Sequence, residues 1–288
     1  MRIACFQSMG QRRVGLVSAD GLQIAPLALP AEDARGGALA LIERLSAGEP
    51  LPAAEPAQPL AGLRLEAPLP RPRRNVFCVG RNYQAHAQEL SGSIFKNAPP
   101  AGMDWPIVFS KVPETVVADG AEVALPTEVS TQIDYEAELA VVIGRGGKNI
   151  AREQAMGHVF GYTIVNDVTA RDVQTRHQQW HLGKSFDGFC PMGPWIVTAD
   201  ELDGRDTRLR CWVNEELRQD ARTTDLIFDI PALIATISRG ITLYPGDVIA
   251  TGTPAGVGMG LVPPQYLKPD DVVRIEIDGI GTLSNRFV

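Results

Sequence analysis

Along most of the chain, apolar positions fall in short alternating or continuous runs and only rarely recur at helical spacing. From Asn75 onward, NVFCVG, PIVFSK, ELAVVIG, HVFGYTIVND, GPWIVTA, RLRCWVN, DVIATG and VVRIEID each have the β-branched, period-two or fully apolar character of strands. Helical patterns are fewer. DIPALIATISRG places Ile230, Leu233, Ile234 and Ile237 on one face, with Pro231 near its start and Gly240 after its end; AREQAMGHV is a short helix candidate. Upstream, RIACFQ and RVGLVSADGLQIAPL predict short strands around an Asp20-Gly21 turn, and GGALALIERLSAG predicts one amphipathic helix ending near Gly48. Strands without regular helical crossovers argue against a doubly wound parallel sheet and for a β-rich α+β fold.

Between Pro50 and Pro72 lie seven of the 22 prolines and little periodicity, the composition of an extended connector. The expected organisation is a small N-terminal α+β domain with its Pro-rich linker, residues 1–67, followed by a larger β-rich domain, residues 68–288. At 288 residues with 44% hydrophobic and 21% charged positions, the chain can bury a full core and is not disordered. Its net charge of −7 argues against nucleic acid or an anionic membrane as the main partner, leaving small anionic ligands held by local cations. MRIACFQSMGQRR has no apolar export core, and no run approaches the about 18 apolar residues of a membrane span. Cys5, Cys78, Cys190 and Cys211 are scattered, so buried free thiols and a cytoplasmic location are expected.

The stretch DYEAEL carries the most chemistry. On one strand, period two would align Asp134, Glu136 and Glu138 on a single face, neighbours about 6.6–6.8 Å apart. Such a row is either a solvated edge or a cation site. Hard oxygens without a nearby Cys or His pair favour Mg²⁺, Mn²⁺ or Ca²⁺ over Zn²⁺. A third carboxylate, Asp167, stands where the apolar run HVFGYTIV gives way to polar residues. Glu89 follows His86 by three residues, one helical turn on, which suits a base and the group that orients it. His177 and His181 have the spacing of two zinc ligands, yet Gln178 stands where a zincin carries its glutamate. TGTPAGVG, residues 251–258, offers backbone N–H groups to a carboxylate or oxyanion and lacks the Lys-Ser/Thr of a P-loop. Lys184, between glycine and aromatic residues, reads as a partly buried cation needing a partner or a task.

In order along residues 68–288, GRNYQAHAQE, DYEAEL, NDVTARDVQ, WHLGKSFDGFCP, VNEELRQ and GDVIATGTPAGVG resemble the landmarks of the fumarylacetoacetate hydrolase family. The resemblance implies a mixed β-sandwich or β-roll catalytic domain behind a small N-terminal domain, commonly a homodimer. It implies Glu136, Glu138 and Asp167 as ligands of Mg²⁺ or Mn²⁺, with Ca²⁺ as an alternative. His86 and Glu89 become a water-activating dyad, Lys184 a cationic catalytic contact, and Arg81, Tyr83, Gln174 and Thr253 substrate contacts. Two stretches depart from the pattern. Residues 91–106 are longer than in compact members and lie where a substrate-closing lid would, and Val112 replaces the proline that commonly follows the lysine at Lys111.

The reaction so implied is hydrolysis of a C–C bond in a 2,4-dioxo acid of the acylpyruvate type, with pyruvate leaving as its enolate. Decarboxylation of oxaloacetate, or isomerisation and decarboxylation of an oxo-diacid in aromatic catabolism, needs the same enolate but no attacking water. Ureidoglycolate cleavage is a weaker reading. A non-catalytic oxo-acid binder would need the metal ligands but not the His86–Glu89 pair.

Overall fold

The computed structural model describes residues 1–91, 105–176 and 179–288. Strands β1 (Arg2–Ser8), β2 (Gln11–Val17) and β3 (Gln23–Pro26) form a meander whose second turn carries Gly21 in the left-handed region, φ 73°. Helices α1 (Ala31–Ala34) and α2 (Leu39–Ser46) follow, then β4 (Gln58–Pro59) and β5 (Arg64–Glu66). The next segment holds β6 (Val76–Gly80), α3 (Gln84–Ser91), β7 (Ile107–Lys111), β8 (Val116–Val117) and β9 (Glu122–Val123). It leads to β10 (Ile133–Asp134), β11 (Ala137–Ile143), β12 (Val159–Asn166), β13 (Thr169–Ala170), α4 (Arg171–Gln174) and α5 (His181–Lys184). The chain closes with β14 (Cys190–Thr198), β15 (Arg208–Val213), β16 (Glu216–Arg222), α6 (Ile230–Ser238), β17 (Val248–Ala250), β18 (Val272–Ile277) and β19 (Gly281–Phe287).

One mixed sheet runs β4-β3-β2-β1-β14-β12-β11-β17-β6-β7, with β5 and β8 attached at its side; a second runs β16-β15-β18-β19-β9, and β10 pairs β13 alone. β6 and β17 pair in parallel, whereas β11 runs antiparallel to both its neighbours. The fold is therefore the expected β-rich α+β arrangement. β11 explains its own sequence. Leu139, Val141 and Ile143 enter a core shared with the second sheet and α6, while Ala140 and Val142 enter another shared with β1 and α2. A strand covered on both faces reads as a continuous apolar run.

β1 pairs with β14 at Arg2↔Val197 and Ile3↔Ile196, so the N-terminal strands extend the sheet that carries β11 and β12. That sheet takes strands from both sides of residues 67 and 68. α2 lays Leu41 and Ile42 on its face, as the amphipathic pattern required. α6 is capped by Asp229, whose side chain accepts the Ala232 N–H at 2.9 Å. The candidate helix at AREQAMGHV forms a 3₁₀ helix, Arg152–His158, because so short a segment nucleates an α-helix poorly. Among the described residues no helix is long and apolar enough to cross a membrane.

Candidate active site

Strand pairing assembles the carboxylates. β11 and β12 pair with Ala137 opposite Asn166 and Glu138 opposite Val165, and the Asp167 N–H donates to the Glu136 carbonyl at 2.9 Å. The start of one strand and the end of its neighbour thus bring Glu136 and Glu138 beside Asp167, all three buried. The Glu136 N–H donates to Asn166 Oδ1 at 3.0 Å, which fixes the turn-in. Asp134 departs from the expected row. β10 ends there, the chain breaks at Tyr135 and Glu136, and the Asp134 carboxylate turns to Arg171 Nε at 2.8 Å and to the N–H groups of Gly258 and Met259 at 2.7 and 2.9 Å.

Three buried cations pair with Glu136, Asp167 and Asp134. Lys184 Nζ donates to Glu136 Oε2 and Asp167 Oδ2, each at 2.7 Å, and lies 5.0 Å from the Phe109 ring centroid. Lys111 Nζ donates to Asp167 Oδ1 at 2.7 Å and to the Val168 carbonyl at 3.0 Å. Arg171 Nη1 lies 2.7 Å from Glu136 Oε1. Burial opposes ionisation of Glu136, but Lys184, Arg171 and His86 outweigh it and draw its pKa down to about 2. Glu138 fares differently. Burial, then Asp167 and Glu136, push its pKa well above the usual range, against the 2.8 Å hydrogen bond from the Gly252 N–H. Among the described residues no lysine, arginine or histidine pairs with it at ion-pair distance.

A divalent cation would answer that imbalance. One oxygen from each of Glu136, Glu138 and Asp167 lies within 4.8 Å of the others. Oxygens on one octahedral Mg²⁺ or Mn²⁺ stand about 3.0 to 4.2 Å apart. The donor set needs only slight contraction, and its hard oxygens fit these ions better than zinc.

On α3, His86 Nδ1 lies 3.0 Å from Glu89 Oε2 and is buried. Glu89 accepts, so Nδ1 carries the proton and Nε2 is the basic nitrogen. The second Glu89 oxygen accepts the Gly256 N–H at 2.9 Å. Asn82 anchors the approach to α3: its Nδ2 donates to the carbonyls of Phe228 and Thr251 at 2.9 and 2.7 Å, and its Oδ1 accepts the Phe228 N–H at 2.8 Å. The Gly-rich segment at 251–258 does bind carboxylates through backbone N–H groups. They are the protein's own: Glu138, Glu89 and Asp134.

Residues 75–288 match the family described as fumarylacetoacetate (FAA) hydrolase C-terminal. This chain belongs to the fumarylacetoacetate hydrolase family. It is 49% identical over 229 residues to oxaloacetate tautomerase YisK of Bacillus subtilis (strain 168), covering 79% of this chain and 74% of that protein. A fumarylacetoacetate hydrolase from psychrophilic Exiguobacterium antarcticum superposes with a TM-score of 0.84 at 39% identity, over 100% of this chain and 99% of that one. Maleylpyruvate hydrolase from Sphingobium sp. SYK-6, solved with manganese(II) and pyruvate, gives 0.79 at 31% identity over 100% and 99%.

Within this family fold one cavity gathers most of the residues singled out from sequence. Arg81, His86, Glu136, Glu138, Gln174, Lys184 and Thr253 all line it, with Phe109, Arg171 and Trp180. Asp167 lies fully buried behind it. Glu89 reaches it through His86. Tyr83 is outside the lining; its ring sits in the main core and its hydroxyl has no hydrogen-bond partner among the described residues. Lys111 is not a lining residue either, being fully buried on Asp167. His177 and most of residues 91–106 lie outside the described residues, while His181 is exposed with Nδ1 3.1 Å from the Ser110 carbonyl.

Sequence reasoning passed over Arg171 and Gln219. Arg171 precedes Gln174 by three residues, one turn of α4, a spacing that would have tied it to the site through Gln174. Gln219 offered no such signal. Its Oε1 accepts the Ala137 N–H at 3.0 Å and its Nε2 donates to Thr253 Oγ1 at 2.8 Å, coupling β11 to the loop across the cavity.

Proposed function

We propose that this protein is a divalent-metal-dependent enzyme acting on short 2-oxo acids through their enol form, with keto–enol tautomerisation of a four-carbon oxo-diacid as its first reaction. The observation that carries the reading is the meeting of two devices at one cavity: Glu136 and Glu138 line it with Lys184 and Arg171, backed by the Asp167–Lys111 pair, and His86 lines it with Glu89 behind. Mg²⁺ or Mn²⁺ held by Glu136, Glu138 and Asp167 would supply Lewis-acid stabilisation of an enolate oxygen. Lys184 adds fixed positive charge beside the same place, where low dielectric strengthens it. His86, oriented by Glu89, takes the proton from the carbon next to the carbonyl and passes it to the enolate oxygen to give the enol, and in the reverse direction takes the enol O–H proton and returns it to that carbon. Gln174 and Thr253 offer an amide and a hydroxyl to hold the substrate's orientation. The 49% identity to an oxaloacetate tautomerase supports the choice of substrate, and the manganese and pyruvate in a structural relative support the ion class.

The His86–Glu89 pair also favours a second reading, C–C hydrolysis of an acylpyruvate. There His86 would deprotonate water, the hydroxide would add to the 4-oxo carbon, and the C3–C4 bond would break with its electron pair going to C3 as pyruvate enolate. Decarboxylation of oxaloacetate remains the third. One set of assays separates them, using protein supplied with Mg²⁺ or Mn²⁺. The ultraviolet absorbance of enol-oxaloacetate follows tautomerisation, coupled lactate dehydrogenase follows pyruvate from oxaloacetate, and acetopyruvate reports hydrolysis. The expected result is accelerated enol loss that outruns pyruvate release. No acceleration with any of the three would sink the enol reading.

A further inference from the structure

The cations lining the cavity differ in what they hold. Lys184 and Arg171 are committed to Glu136, Asp167 and Asp134 at 2.7–2.8 Å. Arg81 is not committed. It lines the same cavity and is 8% exposed, yet among the described residues no carboxylate lies at ion-pair distance from its guanidinium. Its Nη2 makes one long contact, 3.4 Å to the Ala87 carbonyl, and its buried Nε has no hydrogen-bond partner. Burial pulls its pKa down with no acid nearby to restore it, the reverse of Arg171, which its acids hold above the usual range despite burial. The backbone adds a second oddity: Arg81 has φ 55°, the left-handed region, where a non-glycine residue is uncommon and is held at some cost. A buried guanidinium is ordinarily paired, and its planar fork matches a carboxylate.

We propose that Arg81 is the counter-charge for the second carboxylate of a dicarboxylic 2-oxo acid, so that the site selects diacids over monoacids. The inference rests on the oxo-acid reading above. It assigns the two ends of the substrate: the carboxylate-and-oxo end to the triad side, and the far carboxylate to Arg81, the lining cation with no acid partner among the described residues. The rival is a purely structural Arg81 that clamps α3 through Ala87.

Malate and lactate separate these, because they share a 2-hydroxy acid end and differ in the far carboxylate. Binding of each to the Mn²⁺-loaded protein is measured by calorimetry for wild type, Arg81→Gln and Arg81→Lys, with melting temperatures recorded alongside. Both substitutes are unbranched at Cβ and tolerate the backbone as arginine does. Wild type should bind malate at least about tenfold tighter than lactate, the range of one charge-assisted contact. Arg81→Gln should weaken malate by about 10- to 100-fold and lactate by less than about twofold, with Arg81→Lys between. Equal weakening of both ligands would establish the clamp and overturn the proposal, as would a wild type that does not prefer malate or binds neither. If malate selection through Arg81 stands while enol turnover is absent, the enzymatic reading fails and the dicarboxylate assignment survives.

Discussion

Gly260→Ala should disable the His86–Glu89 pair with both residues left in the sequence. Gly260 closes the short 3₁₀ turn Gly258–Gly260, and its φ is not in the left-handed region, so a Cβ there brings no backbone strain of its own. What it brings is a collision. The added carbon would stand 2.5 Å from Glu89 Cγ, with the carboxyl carbon and Oε1 closer still. Carbon contacts begin near 3.5 Å, so the Glu89 side chain must retreat by about 1 Å. Its bonds to His86 Nδ1 and from the Gly256 N–H, 3.0 and 2.9 Å long, cannot both survive such a move. Glu89 is partly exposed and can yield toward water, so the stability cost should stay near that of one or two hydrogen bonds, about 1–2 kcal/mol. The rate should suffer more. General-base assistance contributes about 10²–10⁴-fold, and a misplacement of about 1 Å forfeits about 10²-fold. The assay is kcat/KM on the best substrate, with Mn²⁺ affinity and melting temperature as controls for the site and the fold. The decisive comparison is made in a Glu89→Ala background, where the collision partner is gone and Gly260→Ala should change the rate by less than about twofold. Full activity in Gly260→Ala, or an equal loss with and without Glu89, would refute the reasoning.

Three further outcomes follow from burial and charge. Glu138→Gln removes the triad carboxylate that no described cation neutralises, so Mn²⁺ affinity should fall beyond the about 10- to 100-fold seen for outer partners of metal ligands, while the metal-free protein should melt no lower; unchanged Mn²⁺ binding by calorimetry would remove Glu138 from the site. Burial raises all four thiol pKa values, to about 12 for Cys5 and Cys190, so the native protein should resist a thiol reagent at pH 8 and titrate four thiols once unfolded. In the unfolded chain these thiols ionise near pH 8.5–9, whereas folded they hold their protons. Stability should therefore fall as pH rises above about 9, as chemical denaturation across pH 8 to 10 would register.

What a local pattern can encode was already readable in the chain. Period-two and continuous apolar runs marked the strands, and the three-residue step from His86 to Glu89 placed both on one face of α3, because these relations depend on backbone geometry within a turn or a strand. The ordered motifs carried the family and pointed to the three carboxylates that the fold brings within 4.8 Å of one another. The same local reasoning misplaced Asp134, since the break at Tyr135 and Glu136 exists only because Asp134 is drawn to Arg171 and to N–H groups 124 and 125 residues further along. Tertiary structure alone decided the rest. It joined β1 to β14 so that the N-terminal strands continue the central sheet, and it set Lys111 on Asp167 across 56 residues. It also turned the Gly-rich loop's N–H groups onto the protein's own acids and placed Arg81 in the cavity with no acid partner among the described residues. Charges buried at low dielectric must find partners wherever the fold brings them, and those partners come from strands and loops whose meeting no spacing along the chain records.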